Sequence, residues 1–111
     1  MIQKFKFGKF VIDDKEYEGD IKIIENEVIK WKTRQGHDVF LEDVMDLIKE
    51  KPTTLIVGIG DPGYLKVSQE VKETLQRKKI KLIEQPTRKA CKTYNELYQK
   101  EKVCAIFHAT C

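Results

Sequence analysis

The sequence has no long apolar stretch and few cysteines, and both shortages exclude classes of protein. A membrane-spanning helix needs about 20 consecutive apolar residues, whereas the longest such run here covers only residues 55–60. Residues 1–7 alternate charged and aromatic side chains, unlike the continuous apolar region of a secretory signal. The odd number of cysteines, Cys91, Cys104 and Cys111, favours reduced thiols and therefore a cytoplasmic location.

Arginine is also scarce, since only Arg34, Arg77 and Arg88 stand among 21 basic residues. Bidentate recognition of phosphates and base edges favours arginine over lysine, so we do not expect specific nucleic-acid binding. The formal net charge is +3, and it is uneven along the chain. Residues 1–55 are slightly acidic, whereas residues 56–111 are basic.

The composition and length of the chain suffice for one folded domain over residues 1–111. Apolar residues make up 41% and charged residues 35% of the 111 positions, which is typical of a globular protein with a highly charged surface. A chain of this length buries roughly two-thirds of the surface that it exposes when unfolded, enough for its own core.

The first third of the chain predicts an antiparallel β meander with one buried face. Apolar side chains alternate with polar ones from Phe5 to Ile12, which predicts a strand ending at a turn near Asp13 and Asp14. Two further strands are predicted around residues 21–24 and 28–32, joined by a turn at residues 25–27. A helix follows over residues 41–48, and Pro52 prevents its continuation.

The second half predicts a βαβαβ unit. Strands are expected at residues 54–59, 80–83 and 103–107, because these segments are apolar and β-branched. Ser68 and Thr87 are candidate N-caps for the two intervening helices. Together these elements predict an α/β fold in which a meander and a helix precede a βαβαβ unit with parallel strands and right-handed crossovers.

One segment matches the phosphate-binding pattern G-x-G-x-x-G, namely Gly58, Gly60 and Gly63 with Asp61 between them. In dinucleotide folds such glycines let the backbone approach a pyrophosphate at a helix N-terminus. Here Pro62 removes one backbone donor and Asp61 would repel a phosphate. The alternative interpretation is a tight turn that needs glycine conformations.

The end of the chain combines thiols with an imidazole. His108 and Cys111 leave the last strand near the glycine segment if the strands run parallel, so a cleft between the two is our candidate ligand site. No paired cysteine motif indicates a metal, and Cys91 and Cys104 are more simply interpreted as small buried side chains. We therefore predict no catalytic residue, no metal and no cofactor.

A cluster of basic side chains lies between residues 72 and 92. Such a patch could contact phosphates or an acidic partner, although basic residues at helix ends are usually just solvated. Its members are Arg77, Lys78, Lys79, Lys81, Arg88, Lys89 and Lys92.

Several segments resemble a known family. They are the strand and turn at residues 55–60, the pair Leu65 and Val67, the stretch 87–97 with Tyr94 and Asn95, and the ending 103–111. The chain is similar to the small domain family of the adipogenesis-associated domain-containing protein, with the mitochondrial NADH dehydrogenase (complex I) assembly factor three as a more distant relative. The resemblance implies a three-layer α/β fold, in which a central mixed sheet of about five strands carries an added β layer, and it implies no catalytic assignment. On helix 87–97, Tyr94 is expected to pack and Asn95 to make a local hydrogen bond.

The resemblance also implies a functional class. Family members act in assembly or regulatory contexts, so we favour a non-enzymatic module that binds a protein partner, with homo-oligomerisation as a further option. The alternatives are an enzyme that binds a small anion or nucleotide at the segment 58–63, and a basic RNA-associated module.

Overall fold

The chain forms three layers around a central mixed sheet, and a computed structural model describes all of residues 1–111. The elements are β1 (Ile2–Lys6), β2 (Lys9–Ile12), β3 (Lys15–Glu18), β4 (Ile21–Ile24), β5 (Glu27–Lys30), β6 (Asp38–Val39), α1 (Leu41–Lys49), β7 (Thr54–Gly58), β8 (Lys66–Val67), α2 (Gln69–Arg77), β9 (Lys81–Gln85), α3 (Thr87–Leu97) and β10 (Val103–Phe107).

The central sheet has the strand order β5-β4-β10-β7-β9. Strand β7 runs parallel to both β10 and β9, whereas β4 runs antiparallel to β10. The carboxyl ends of β7, β9 and β10 therefore meet at one edge of the sheet, which we call the carboxyl edge. The opposite amino edge also carries the β4–β5 turn, because β4 runs the other way. This arrangement confirms the predicted α/β fold with five central strands.

The two faces of the central sheet bury separate cores. On one face, α3 and the sheet β1-β2-β3 cover a cluster that includes Phe10, Ile23 and Phe107. On the other face, helices α1 and α2 cover a cluster that includes Leu47 and Leu75. Strands β7 and β10 are buried along their whole length, as their continuous apolar sequences predict.

The predicted N-terminal antiparallel strands are confirmed, but the meander differs from the prediction in two details. The segment from Phe5 to Ile12 is not one strand, because a turn at Phe7 and Gly8 divides it into β1 and β2. Gly8 has a φ of +90°, and its N–H donates to the carbonyl of Ala109 at 2.7 Å. In addition, β1-β2-β3 form a sheet of their own, whereas β4 and β5 join the central sheet.

The other predicted turns are confirmed. Asp13 and Asp14 join β2 to β3, and Glu25 and Asn26 join β4 to β5. All four residues have positive φ values, from 49° to 69°, as two-residue hairpin turns of the I′ type require.

Helix α1 begins after Phe40, whose N–H donates to the carboxylate of Asp43 at 2.8 Å. The side chain of Asp43 is fully buried and also accepts hydrogen bonds from the indole of Trp31 at 3.0 Å and from the hydroxyl of Thr33. This network joins the end of β5 to the first turn of α1. None of the three helices is long and apolar enough to cross a membrane.

Candidate functional site

The glycine loop, residues 58–63, lies at the carboxyl edge and packs against the end of the chain. The carbonyl of Gly58 accepts a hydrogen bond from the N–H of His108 at 2.9 Å. The N–H of Asp61 donates to the carbonyl of Thr110 at 2.8 Å. The structure therefore brings the predicted loop and the predicted segment His108–Cys111 together, as β7 and β10 are parallel neighbours.

Gly58 and Gly60 allow the loop to lie close to the end of the chain, because neither residue has a Cβ. Gly60 has a φ of +109°, and a Cβ at this position would lie 2.7 Å from the carbonyl oxygen of Thr110 and 2.8 Å from that of Cys111. A Cβ at Gly58 would lie 2.7 Å from the ring of Phe107. These glycines leave space for the protein's own backbone and side chains rather than for a ligand.

Most of the backbone donors that a phosphate would need are bonded within the chain. The N–H of Ile59 donates to the carbonyl of Gln85, that of Gly60 to the hydroxyl of Thr87, and that of Tyr64 to the carbonyl of Cys111, all at 2.8–2.9 Å. Pro62 has no N–H to offer. Binding an anion here would require breaking several of these bonds, which disfavours the nucleotide interpretation.

Thr87 holds the loop and the last strand in place, a role that the sequence did not indicate. It is the first residue of α3, and its N-cap is Pro86, so the prediction that Thr87 caps the helix is wrong. Its fully buried hydroxyl accepts the N–H of Gly60 and donates to the carbonyl of His108 at 2.7 Å. The hydroxyl therefore joins the glycine loop to the residue after β10. It does not accept the free N–H groups at the start of its own helix.

His108 is fully buried beside Asp20, the residue that precedes β4. The Nδ1 atom of His108 lies 2.8 Å from one carboxylate oxygen of Asp20, which also accepts the N–H of Ala109 at 2.8 Å. Arg34 donates from Nε to the other oxygen at 2.6 Å. On its far side, the Nε2 atom of His108 lies 3.4 Å from the hydroxyl of Thr110.

Asp20 is the charged centre of this network. Burial alone would raise the pKa of Asp20, but the hydrogen bonds from His108, Ala109 and Arg34 outweigh it and hold the pKa below the usual 3.8. A histidine paired with a carboxylate can act as a general base when a substrate reaches its free nitrogen. Because His108 has no exposed surface, this pair instead ties the end of β10 to the start of β4.

The thiols offer no reactive group within the two cores. Burial raises the pKa of Cys91 to about 12 and that of Cys104 to about 11, so both are protonated at neutral pH. Cys111 is partly exposed next to the glycine loop. No group of three His, Cys, Asp or Glu side chains is arranged to hold a metal ion.

The predicted basic patch is divided between the two ends of β9. Arg77, Lys78, Lys79 and Lys81 lie where α2 ends and β9 begins, at the amino edge. Arg88, Lys89 and Lys92 lie in the first turns of α3, which follows β9 at the carboxyl edge and covers the opposite face of the sheet. These residues therefore do not form one continuous surface.

The second of these groups borders a groove between β1 and α3, which we call the cationic groove. It has a volume of about 550 Å³, and no carboxylate lines it. Four exposed cationic side chains line it, those of Lys4, Lys6, Arg88 and Lys92. The side chain of Arg88 is held in place, because it donates to the carbonyl of Phe5 at 3.2 Å and to Asp61 at 3.1 Å, and its guanidinium lies 5.1 Å from the centre of the Phe5 ring.

Asn95 closes the free edge of β1 within this groove. Its side-chain amide accepts the N–H of Ile2 and donates to the carbonyl of Ile2, both at 2.8 Å, as a neighbouring strand would. The predicted local hydrogen bond of Asn95 is therefore wrong, since its partner lies 93 positions away in the sequence. Tyr94 packs in the core as expected, with its ring stacked on that of Tyr98.

A family model and several solved structures are similar to this chain. A family model described as "Protein of unknown function (DUF498/DUF598)" matches residues 2–108. A conserved hypothetical protein from Pyrococcus horikoshii OT3 is 29% identical with a TM-score of 0.92, and the match covers 100% of this chain and 99% of that chain.

Two further solved structures are similar. A protein designated MT938 is 27% identical with a TM-score of 0.84, over 100% of this chain and 98% of that chain. A Bordetella pertussis protein described as an Mth938-like domain is 16% identical with a TM-score of 0.71, over 98% and 85% of the two chains, and shows the fold alone. No curated protein sequence matches this chain.

Proposed function

Because the chain belongs to the DUF498/DUF598 family of proteins of unknown function, we propose a function from its own surface: a non-enzymatic module that binds an acidic segment of a partner protein in the cationic groove. The observation that carries this proposal is the lining of the groove, which has four cationic side chains and no carboxylate. Arg88 is paired with Asp61, whereas Lys4, Lys6 and Lys92 have no carboxylate partner, so the groove keeps a net positive surface. Such a surface attracts a negatively charged partner and steers its approach.

The mode of binding follows from the edge of β1. Partners that add a strand to a sheet use free backbone groups along an edge. At Ile2 these groups are already bonded to Asn95, and the carbonyl of Phe5 is bonded to Arg88. Recognition therefore depends on the lysine and arginine side chains, which favours carboxylates on the partner over a particular backbone conformation.

The other functional classes have less support. An enzyme at the glycine loop would need accessible donors or an accessible base, whereas the N–H groups of Ile59, Gly60 and Asp61 are bonded and His108 is buried. An RNA-associated module would need exposed aromatic rings for stacking, whereas Phe5, the aromatic residue in the groove, is buried. The resemblance to adipogenesis-associated domain proteins and to an assembly factor is consistent with a partner-binding role, and it remains part of the proposal.

A random peptide display library provides an unbiased test. Peptides selected on the wild-type protein are expected to be enriched in Asp and Glu, and the enrichment should be lost on the double variant Lys4→Glu/Lys92→Glu. The matched control is Lys15→Glu, which reverses an exposed charge on β3 outside the groove.

Two results would contradict the proposal. Selected peptides without excess acidic residues would exclude charge recognition. Acidic peptides that bind the double variant as well as the wild type would place the site elsewhere. Tight, salt-sensitive binding of a single-stranded RNA that competes with the selected peptides would favour the RNA-associated module instead.

A further inference from the structure

A small pocket lies at the amino edge, between the end of α3, the start of β10 and the β4–β5 turn. It has a volume of about 260 Å³ and shares no lining residue with the cationic groove. Ligand pockets usually measure about 300–1,000 Å³, so this one has room for a small molecule only. We call it the tyrosine pocket, because the side chains of Tyr94 and Tyr98 line it.

Tyr94 offers the tyrosine pocket a polar group that the fold does not use. The residue is only 2% exposed, and its hydroxyl makes no hydrogen bond within the chain. Every fully buried polar side-chain atom of the protein has a hydrogen-bond partner, so solvent reaches this unpartnered hydroxyl through the pocket. Burial raises the pKa of Tyr94 to about 12, so the hydroxyl keeps its proton at neutral pH and its oxygen can accept a hydrogen bond.

The tyrosine pocket carries excess negative charge, although the chain as a whole is basic. Glu25 and Glu101 line it, whereas its one cationic side chain is the exposed Lys102. The hydroxyls of Thr53 and Thr54 donate to Glu101 at 2.6 and 2.5 Å and lower the pKa of its carboxyl, which is therefore ionised at neutral pH. Both bonds end on the Oε1 atom, so Oε2 is left without a partner in the chain.

The remaining lining favours an organic cation over a metal ion. The rings of Tyr94 and Tyr98 are stacked, with 5.3 Å between their centres and 3° between their planes, and Tyr98 is partly exposed. The face of a tyrosine ring attracts a cation. The buried Val103 and Cys104 also line the pocket, and they suit an aliphatic chain. No group of three His, Cys, Asp or Glu side chains is arranged to hold a metal.

We propose that the tyrosine pocket binds a small primary amine in its ammonium form. An ammonium group has three N–H donors and no acceptor. The acceptors that the pocket offers it are the hydroxyl of Tyr94 and the carboxylates of Glu25 and Glu101. An anion would be repelled by the two carboxylates, and a neutral ligand would leave their charge uncompensated. Because the two sites share no residue, this site is independent of the cationic groove.

Amide chemical shifts of the ¹⁵N-labelled full chain test the proposal, with butylammonium chloride as the probe. Saturable shift changes are expected at residues 25–26, 98 and 103–104, which line the pocket. The neutral analogue 1-butanol and sodium chloride, each at the same concentration, should not produce them. Tetramethylammonium has a charge but no N–H to donate, so it should bind at least about fivefold more weakly than butylammonium.

The variant Tyr94→Phe separates binding from folding, because it keeps the buried ring and removes a hydroxyl that has no partner in the chain. It should retain the thermal midpoint of the wild type and bind butylammonium at least about threefold more weakly. Glu25→Gln changes an exposed turn residue and should weaken binding by about fivefold or more. The matched controls are Tyr64→Phe and Glu70→Gln, two exposed positions outside the pocket, which should bind as the wild type does.

Four results would overturn the proposal. Shift changes that do not saturate would exclude a defined site. Equal changes with 1-butanol would show that the charge is not recognised. Tetramethylammonium that binds as tightly as butylammonium would exclude hydrogen bonds to the amine. A folded Tyr94→Phe variant with unchanged affinity would exclude the hydroxyl as a ligand-binding group.

Discussion

Replacing Gly60 with alanine tests whether the glycine loop serves the packing of the chain rather than a ligand. The added Cβ would lie 2.7 Å from the carbonyl oxygen of Thr110 and 2.8 Å from that of Cys111. Both neighbours are backbone atoms, which cannot turn away as a flexible side chain can. The position also has a φ of +109°, which L-residues rarely adopt.

The expected cost has two parts. Placing a side chain at a positive φ costs roughly 1–2 kcal/mol, and overpacking against fixed neighbours costs about 1–3 kcal/mol more. The free energy of unfolding should therefore fall by roughly 2–5 kcal/mol, a large share of the 5–15 kcal/mol that is typical of a domain. The matched control is Gly19→Ala, because Gly19 has a φ of +82° but no atom within 4 Å of the added Cβ. The free energy of unfolding of Gly19→Ala should fall only by the roughly 1–2 kcal/mol that a positive φ costs.

Urea unfolding followed by Trp31 fluorescence and by circular dichroism measures both variants. Trp31 is the single tryptophan, and it is 5% exposed in the folded chain, so its emission should change on unfolding. The expected difference between Gly60→Ala and Gly19→Ala is at least about 1 kcal/mol. Equal losses of stability in the two variants would refute the close packing of residues 108–111 on the loop.

Three further changes test other parts of the structure. Asp20→Asn should make the free energy of unfolding less dependent on pH in acid. The pKa of Asp20 is lowered in the folded state, so the stabilisation by its carboxylate is present above the usual 3.8 and is lost as pH falls below that value. Urea unfolding between pH 5 and pH 2 measures this, and an unchanged profile would contradict it. Asn95→Ala should lower the free energy of unfolding by about 1–3 kcal/mol, since it leaves the N–H and C=O of Ile2 without their partners. The neighbouring exposed change Glu96→Ala is the control, and an equal effect of the two would be inconsistent with edge closure. Lys79→Gly should raise the thermal midpoint slightly, because Lys79 has a φ of +59° just after α2, where glycine is favoured by about 0.5 kcal/mol or more; a lower midpoint would argue against this backbone conformation.

Most of the second half of the fold could be predicted, because its buried strands are continuous apolar segments and its helices begin after clear boundary residues. The strands ending at Gly58 and Phe107 are short, apolar and bounded by turn residues, and Ser68 caps α2 as its position predicted. The division of the N-terminal segment could not be predicted in the same way. Phe7 continues the alternation of apolar side chains, although it is 60% exposed in the turn before β2.

The location of the candidate site could be predicted from the sequence. The role of its glycines, which pack against the end of the chain, could not. Parallel strands bring the glycine loop and His108 to one edge, which strand order alone suggests. Whether those glycines approach a phosphate or another part of the chain depends on contacts with residues about 50 positions away, such as Thr110. Likewise, no local pattern pairs Asp20 with His108, which lies 88 positions further along the chain.

Binding of an acidic partner segment in the cationic groove can be observed directly through amide chemical shifts. The ¹⁵N-labelled protein would be titrated with a synthetic peptide of Glu, Ser and Leu, and with a control peptide in which every Glu is replaced by Gln. Shift changes are expected on β1 and on the first turns of α3 with the acidic peptide only, and they should be lost in Lys4→Glu/Lys92→Glu. Equal changes with both peptides, or changes confined to the glycine loop, would contradict this expectation.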